Sequence, residues 1–312
     1  MSTVDKDVVV PVCANCGKEG SSDNMNTCNK CKMVKYCNAA CKKKHRRKHK
    51  IECEEHIRLA AEHAAELHEK ELFKQPPPAK DCPICFVCLP TPSTGWRYYT
   101  CCGKTICSGC IYAPVYDNQG NAVAEKKCAF CRVPFPKSVE EENERLKKRV
   151  EVNDLKAMHC MGTFYRDGER DFPQDYAKAL ELWRRAGELG DADAYCSIGY
   201  AYKYGNGVEV DKKKAKYYYE LAAIGGSVPA RHNLGSDEGL NGNMDRALKH
   251  FMIAVRNGSS DSLKTIKGMY SKGHATKDDY TTALQAYQEY LVEIKNPQRD
   301  KAAAARENFR YC

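Results

Sequence analysis

Two small cysteine-built modules followed by an all-α helical repeat solenoid are the fold class this 312-residue chain predicts, and three observations predict it. Sixteen of its nineteen cysteines precede residue 132, mostly as close pairs. Beyond residue 155, alanine, aromatic and glycine positions recur every 32–37 residues. A proline run and a charge-graded helical stretch separate the parts. Paired cysteines without an apolar leader point to metal, not disulfides, and the natural ion for closed sets of thiolate and imidazole is zinc. The multidomain reading is therefore two small binuclear zinc-finger modules of the cross-brace kind, then helical repeats.

Residues 1–12 form a short tail beginning Met-Ser-Thr-Val-Asp-Lys-Asp, with no secretory segment, so a cytoplasmic or nuclear setting is expected. No run has the length or apolarity to cross a bilayer. The net charge of +9 suggests an anionic partner until it is located. Seven of those charges sit in Lys42–Lys50, and the rest of the chain carries +2. One local tract reads as a solvated helix face in preference to an import signal or an anion-binding patch.

The first module spans 13–53: Cys13-x2-Cys16, Cys28-x2-Cys31, Cys37-x3-Cys41 and His49-x3-Cys53. His49 and Cys53, four apart, share one helix face and can reach one ion. The whole pattern, with Tyr36 directly before Cys37, resembles the MYND finger. That resemblance implies that Cys13, Cys16, Cys37 and Cys41 hold one zinc, and that Cys28, Cys31, His49 and Cys53 hold another, with His45 as second choice to His49. So little apolar content cannot fold by core burial, and structural zinc would supply about 10–16 kcal/mol per site. Each ion would be fully coordinated, which argues against metal-catalysed hydrolysis. The resemblance implies recognition of proteins, chiefly proline-containing peptides. The spacing of repeated major-groove fingers is absent, which argues against nucleic acid.

Residues 54–78 read as a linker. Strong helix formers without Gly or Pro run from Glu54 to Lys74, so one helix should continue out of the finger. Gln75-Pro-Pro-Pro78 stops it and acts as a stiff spacer. His56, His63 and His68 are spaced by seven and five and do not form a ligand set.

The second module spans 82–134. Cys82-Pro-Ile-Cys85, Cys101-Cys102, Cys107-Ser-Gly-Cys110 and Cys128-Ala-Phe-Cys131 are four close pairs at long, short and long gaps. Crossed pairing follows, because adjacent pairs are held apart. This pattern resembles a RING-type finger, which implies Cys82, Cys85, Cys107 and Cys110 on one zinc and Cys101, Cys102, Cys128 and Cys131 on the other. It departs from that family where Lys104 stands in a histidine's place. A lysine ammonium cannot ligate, so Cys101 is chosen, although adjacent ligands require an unusual turn; Cys88 remains the other candidate. Ile84 and Pro134 fall where RING fingers contact a ubiquitin-conjugating enzyme, and Arg132 falls where active ligases carry a basic residue. The resemblance thus implies a ubiquitin ligase that works by positioning the conjugating enzyme's thioester. A non-catalytic interaction adaptor is the alternative.

Ser138 begins a connecting helix (138–154), acidic in its first turn and basic in its last. The repeats occupy 155–293 as units 155–190, 191–226, 227–258 and 259–293. Ala179/Trp183/Ala186/Gly190 recur as Ala215/Tyr219/Ala222/Gly226 and Ala247/Phe251/Ala254/Gly258, then in part as Ala283/Tyr287. Gly162, Gly199 and Gly235 mark the preceding helices. Small residues at fixed places around an aromatic define helix–turn–helix units. The stretch Gly199–Ala215 resembles the Sel-one-like repeat, a relative of the tetratricopeptide repeat, which implies a curved stack offering a protein-binding groove. Residues 294–312 should cap it. No phosphate loop and no catalytic triad occurs, and no small-molecule substrate is expected.

Overall fold

A computed structural model describes residues 11–91, 93–114 and 127–311. The first ten residues of the expected tail, and Cys312 of the expected cap, lie outside that set. The chain divides into two compact units, Met1–Glu71 and Leu72–Cys312.

In the first unit, β1 (Asn26–Thr27) and β2 (Lys35–Tyr36) pair antiparallel, Asn26 opposite Tyr36. Helix α1 begins at Ala39, inside the finger, and runs unbroken to Leu72. The core is very small: Cys13, Met25, Cys28, Tyr36 and Cys53. Past Cys53 the helix is exposed almost throughout, and Arg58 bridges Glu55 and Glu62 at 2.6 Å each. Such exposed pairs are worth only a few tenths of a kcal/mol, about 0.3–0.5 each. Intrinsic propensity over an Ala- and Glu-rich run therefore does most of the work. Lys43, Lys44, Arg46, Arg47, Lys48 and Lys50 are all exposed.

The second unit holds the central finger and the repeats together. The finger has β3 (Trp96–Tyr99) paired with β4 (Lys104–Cys107), Trp96 opposite Cys107, then the short helix α2 (Ser108–Tyr112). Helix α3 (Val139–Glu151) starts at Ser138, whose hydroxyl accepts from the Glu141 amide. The stack follows as helix pairs: α4 (Leu155–Asp167) with α5 (Tyr176–Glu188), α6 (Ala192–Tyr204) with α7 (Lys212–Ile224), α8 (Val228–Leu240) with α9 (Met244–Arg256), and α10 (Ser260–Ser271) with α11 (Lys277–Glu293). Helix α12 (Pro297–Ala305) ends it.

The spacing of the repeats has a direct physical reason. A Cβ built on Gly162 would lie 2.6 Å from Trp183, one on Gly199 2.6 Å from Tyr219, and one on Gly235 2.7 Å from Phe251. Each glycine is the seat of the next helix's aromatic ring, and each ring is buried. In the fourth unit the seat is gone: Gly268 faces open space and Tyr287 is only half-buried. The α8–α9 connection is three residues, 241–243, against eight between α4 and α5, which is where the third unit loses its length.

The ends of the stack hold the finger. At the first repeat, Tyr98 donates to Asp154 Oδ2 at 2.8 Å. Further along, the Thr91 amide donates to Tyr290 Oη of the fourth unit at 2.7 Å, and Thr91 Oγ1 to the Asn257 carbonyl of the third at 2.5 Å. The end of α1 and the residue after it also lie on the stack. Arg231 donates to the Leu72 and Ala223 carbonyls, and the Phe73 ring lies tilted with its centroid 4.6 Å from that of His250. Between finger and helices α4, α6 and α8 remains a cavity of about 1050 Å³, lined by Trp96, Tyr98, Lys156, His159, Phe164 and Ser197 among others. The finger thus covers part of the stack's face at α4, α6 and α8.

Candidate metal centres

Among the described residues, four groups of side chains converge. They are Cys13, Cys16, Cys37 and Cys41; Cys28, Cys31, His49 and Cys53; Cys82, Cys85, Cys107 and Cys110; and Cys101, Cys102, Cys128 and Cys131. Within each, every ligand-capable atom lies within 4.8 Å of the others. Sulfur–sulfur separations include 3.6 Å for Cys16–Cys37, 3.7 Å for Cys28–Cys53, 3.7 Å for Cys85–Cys107 and 3.8 Å for Cys102–Cys128. With zinc–sulfur bonds near 2.3 Å, the edge of a coordination tetrahedron is about 3.8 Å. The separations are thus those of a tetrahedron, well beyond the roughly 2.05 Å of a disulfide. Cys31 Sγ lies 3.3 Å from His49 Nε2, with His49 Nδ1 3.6 Å from Glu52. These donor sets fit four structural zinc ions, three all-cysteine and one Cys₃His.

Crowding alone sets the sulfurs against one another. The Cys37 backbone amide pulls the Cys13 thiol down to about 6, and the hydrogen bond with Cys41 pushes Cys37 up to about 12. A divalent cation removes that conflict by taking all four as thiolates.

One backbone device builds four of the eight half-sites. After the second cysteine of each knuckle the next residue is left-handed: Gly17 (φ 72°), Lys32 (58°), Phe86 (58°) and Arg132 (64°). Its amide returns to the carbonyl of the first cysteine at 2.9–3.1 Å. That reversal turns both sulfurs to one side.

The adjacent pair uses another device. Gly103 (φ 67°) closes a turn onto the Tyr99 carbonyl at 2.8 Å, which presents Cys101 and Cys102 to the same cluster. Arg149 on α3 donates to the Thr100 and Cys101 carbonyls at 3.1 and 3.2 Å, and a Cβ on Gly103 would lie 2.5 Å from Asp154 Oδ2. Cys88 is elsewhere, packed with Tyr290, Ile294 and Tyr311. Lys104 lies over the Phe130 ring at 5.9 Å. His45 bonds the Tyr36 hydroxyl at 3.2 Å and stays outside the second cluster.

Of the three expected contact residues, Arg132 and Pro134 are exposed and Ile84 is half-buried against the finger's core. The Pro134 carbonyl accepts from Arg145 at 3.0 Å. Sequence reasoning missed Arg149, Asp154 and Arg299, which meet finger residues 48 to 212 positions away and belong to no ligand motif. Phe86, 77% exposed in a left-handed conformation that an aromatic residue rarely adopts, was also passed over.

Fold and donor sets together define a chain with zinc-finger donor sets at its front and a helical repeat stack behind. Comparison with known proteins gives the parts their names. The MYND finger family model matches residues 13–53, and the Sel1 repeat model matches 155–191 and 192–227. Among curated proteins, the chain is 34% identical over 99 residues, 31% of its length, to 15% of the ERAD-associated E3 ubiquitin-protein ligase component HRD3B of Arabidopsis thaliana. It is 29% identical over 126 residues, 39% of its length, to 18% of Protein sel-1 homolog 2 of Mus musculus. These matches span under a fifth of each relative. Among solved structures, a Sel1 repeat protein from Oxalobacter formigenes is 30% identical, covering 55% of this chain and 66% of that one, with a TM-score of 0.43. Among the described residues no helix is long and apolar enough to cross a membrane.

Proposed function

We propose that the chain is a zinc-dependent ubiquitin ligase of RING type. On this reading the sixteen clustered residues are the zinc ligands, and residues 82–134 receive a charged ubiquitin-conjugating enzyme. The MYND finger and the repeats recruit protein partners, including proline-containing peptides. The observation that carries the reading is the crossed pairing of the central clusters, first pair with third and second with fourth, completed by Cys101 without a histidine. Around it, exposed Arg132, Pro134, Phe86 and Phe130 leave the zinc loops open to a partner. Among the described residues no nucleophile–base pair is placed there for covalent chemistry, so catalysis would be positional: Ile84 and Pro134 would seat the enzyme and Arg132 would hold its ubiquitin. One relative's name carries a ubiquitin ligase setting, over a small part of its length. A cytoplasmic or nuclear location fits a chain of reduced cysteines.

The test is autoubiquitination by the purified full chain with a panel of conjugating enzymes, beside Ile84→Ala and Arg132→Ala. Chains that form with the natural protein and weaken in both variants support the reading. A fully metallated protein inactive with the whole panel overturns it for those enzymes and leaves the non-catalytic adaptor. Lys104 in the histidine's place favours that second reading, through an altered surface beside the second central zinc.

A further inference from the structure

Among the described residues of the second unit two arginines are fully buried, and both donate to backbone carbonyls. Arg231 donates only to carbonyls, and burial alone lowers its pKa to about 10. Arg299, on α12, is 0% exposed and donates to the Cys88 and Ile294 carbonyls at 2.8 Å and to the Val87 carbonyl at 3.1 Å. Its Nε finds no acceptor, and it makes no ion pair with a carboxylate among the described residues. The Val87 carbonyl that it holds also accepts the Cys82 amide at 3.0 Å, so the guanidinium stands against the first central knuckle. Cys82, Cys85, Cys107 and Cys110 belong to one quartet.

The approach is close by construction. A Cβ on Gly109, beside the ligand-capable Cys110, would lie 2.6 Å from the Arg299 backbone nitrogen and 2.7 Å from the Gln298 carbonyl carbon. Helices α2 and α12 therefore meet backbone to backbone. Tyr112 meets Phe309 edge-on at 6.1 Å, and Cys110 Sγ lies 3.8 Å from Gln298 Oε1. Four thiolates on a divalent ion leave a net charge of roughly −2 in a buried place. A buried guanidinium is the group that offsets it.

We propose that Arg299 is the outer-sphere cation of the first central zinc site, so that the helix closing the repeat stack sets how firmly the finger holds its metal. This rests on the assignment of Cys82, Cys85, Cys107 and Cys110 to one zinc ion. It makes the finger and the far end of the stack one metal-dependent unit: a partner or modification that lifts α12 would loosen that site without touching a ligand.

The experiment compares the zinc-loaded full chain with Arg299→Gln and Arg299→Lys, and follows metal release to a colorimetric chelator. Thiol alkylation read by mass spectrometry identifies the cysteines set free. In Arg299→Gln these four cysteines should react about ten-fold or more faster than in the natural protein, a typical cost of losing an outer-shell partner. The other three quartets should keep their rates, and Arg299→Lys, which retains the charge, should stay near the natural rate. Equal rates for Lys and Gln, whether fast or slow, overturn the role of the charge. Should Arg299→Gln fail to fold, Asn296→Ala decides: it removes the α12 cap on the Gln298 amide, 2.8 Å long, and leaves the finger untouched. It should accelerate the same four cysteines, and unchanged rates there overturn the proposal. Alkylation of the four in the natural protein before any chelator is added instead overturns the zinc assignment itself.

Discussion

Arg149 holds the carbonyl oxygen of Cys101 at 3.2 Å from one helix away, and with the Thr100 carbonyl at 3.1 Å it clamps the turn that puts two neighbouring cysteines on one side. Arg149→Ala leaves two part-buried carbonyls without partners. The expected cost is about 1–3 kcal/mol, concentrated in that turn. Chelator-driven zinc release should quicken at Cys101, Cys102, Cys128 and Cys131 and remain unchanged at the MYND finger. A uniform change at all four sites would refute the local role.

Gly103 tests the same turn through the backbone. Its φ of 67° strains any side chain, and a Cβ would strike Asp154. Gly103→Ala should lower the stability of the second unit by about 1–3 kcal/mol, read by urea unfolding. Gly17→Ala, whose Cβ meets nothing within 4 Å, should cost less.

In the stack, Trp183→Ala should cost about 3–5 kcal/mol, since the ring is 1% exposed and its Nε1 donates to the His159 carbonyl at 3.2 Å. Gly199→Ala overpacks against Tyr219 and should cost about 1–3 kcal/mol. Combining it with Tyr219→Leu should recover part of that loss. Simple additivity in the double-mutant cycle would mean that glycine and ring are not coupled.

His250 makes the second unit sensitive to mild acid. Burial first, then the positive charges of Arg231 and Arg246, lower its pKa from 6.5 to about 3. The unfolded chain binds a proton near 6.5 that the folded chain refuses until about 3. Its contribution is therefore complete above pH 6.5 and is lost as pH falls through that window, with a slope approaching about 1.4 kcal/mol per pH unit. His250→Leu should flatten the stability profile between pH 6 and 4, after subtraction of the acid response common to both proteins through their thiolates. Parallel profiles would remove His250 as the cause.

Stripping zinc should separate the halves of the molecule. Both fingers have cores made largely of their cysteines, whereas the stack buries Trp183, Tyr219, Phe251 and their alanine neighbours. After chelation, far-UV circular dichroism should keep most of its helical signal while both fingers become susceptible to protease. Collapse of the whole helical signal would place the stack, too, under metal control.

Much of this was legible because ligand spacing and repeat offset are local or periodic properties of the chain. The ligand positions given by spacing and by the two family resemblances lie in four clusters, and glycine and aromatic positions at these offsets are seat and ring in the first three units. Cys101 against Cys88 could not be decided from spacing, since the answer depends on a turn closed by Gly103 and clamped from residue 149. The start of α1 at Ala39 was hidden because metal ligands and helix share residues 41–53. Arg299 and the seat of Phe73 beside His250 were out of reach for a plainer reason: single long-range contacts leave no period to read.

The contact between Cys88 and Arg299 also orders events during synthesis. The finger's own residues have all been synthesised by residue 134, but α12 follows more than 160 residues later, about 10–30 s at 5–20 residues per second. Through that interval α2 and the first central zinc site stand uncovered, open to chaperones, oxidants or competing metals. The nascent finger must take its zinc early and keep it without the guanidinium that later seals it, so the youngest molecules of this protein are its most metal-labile.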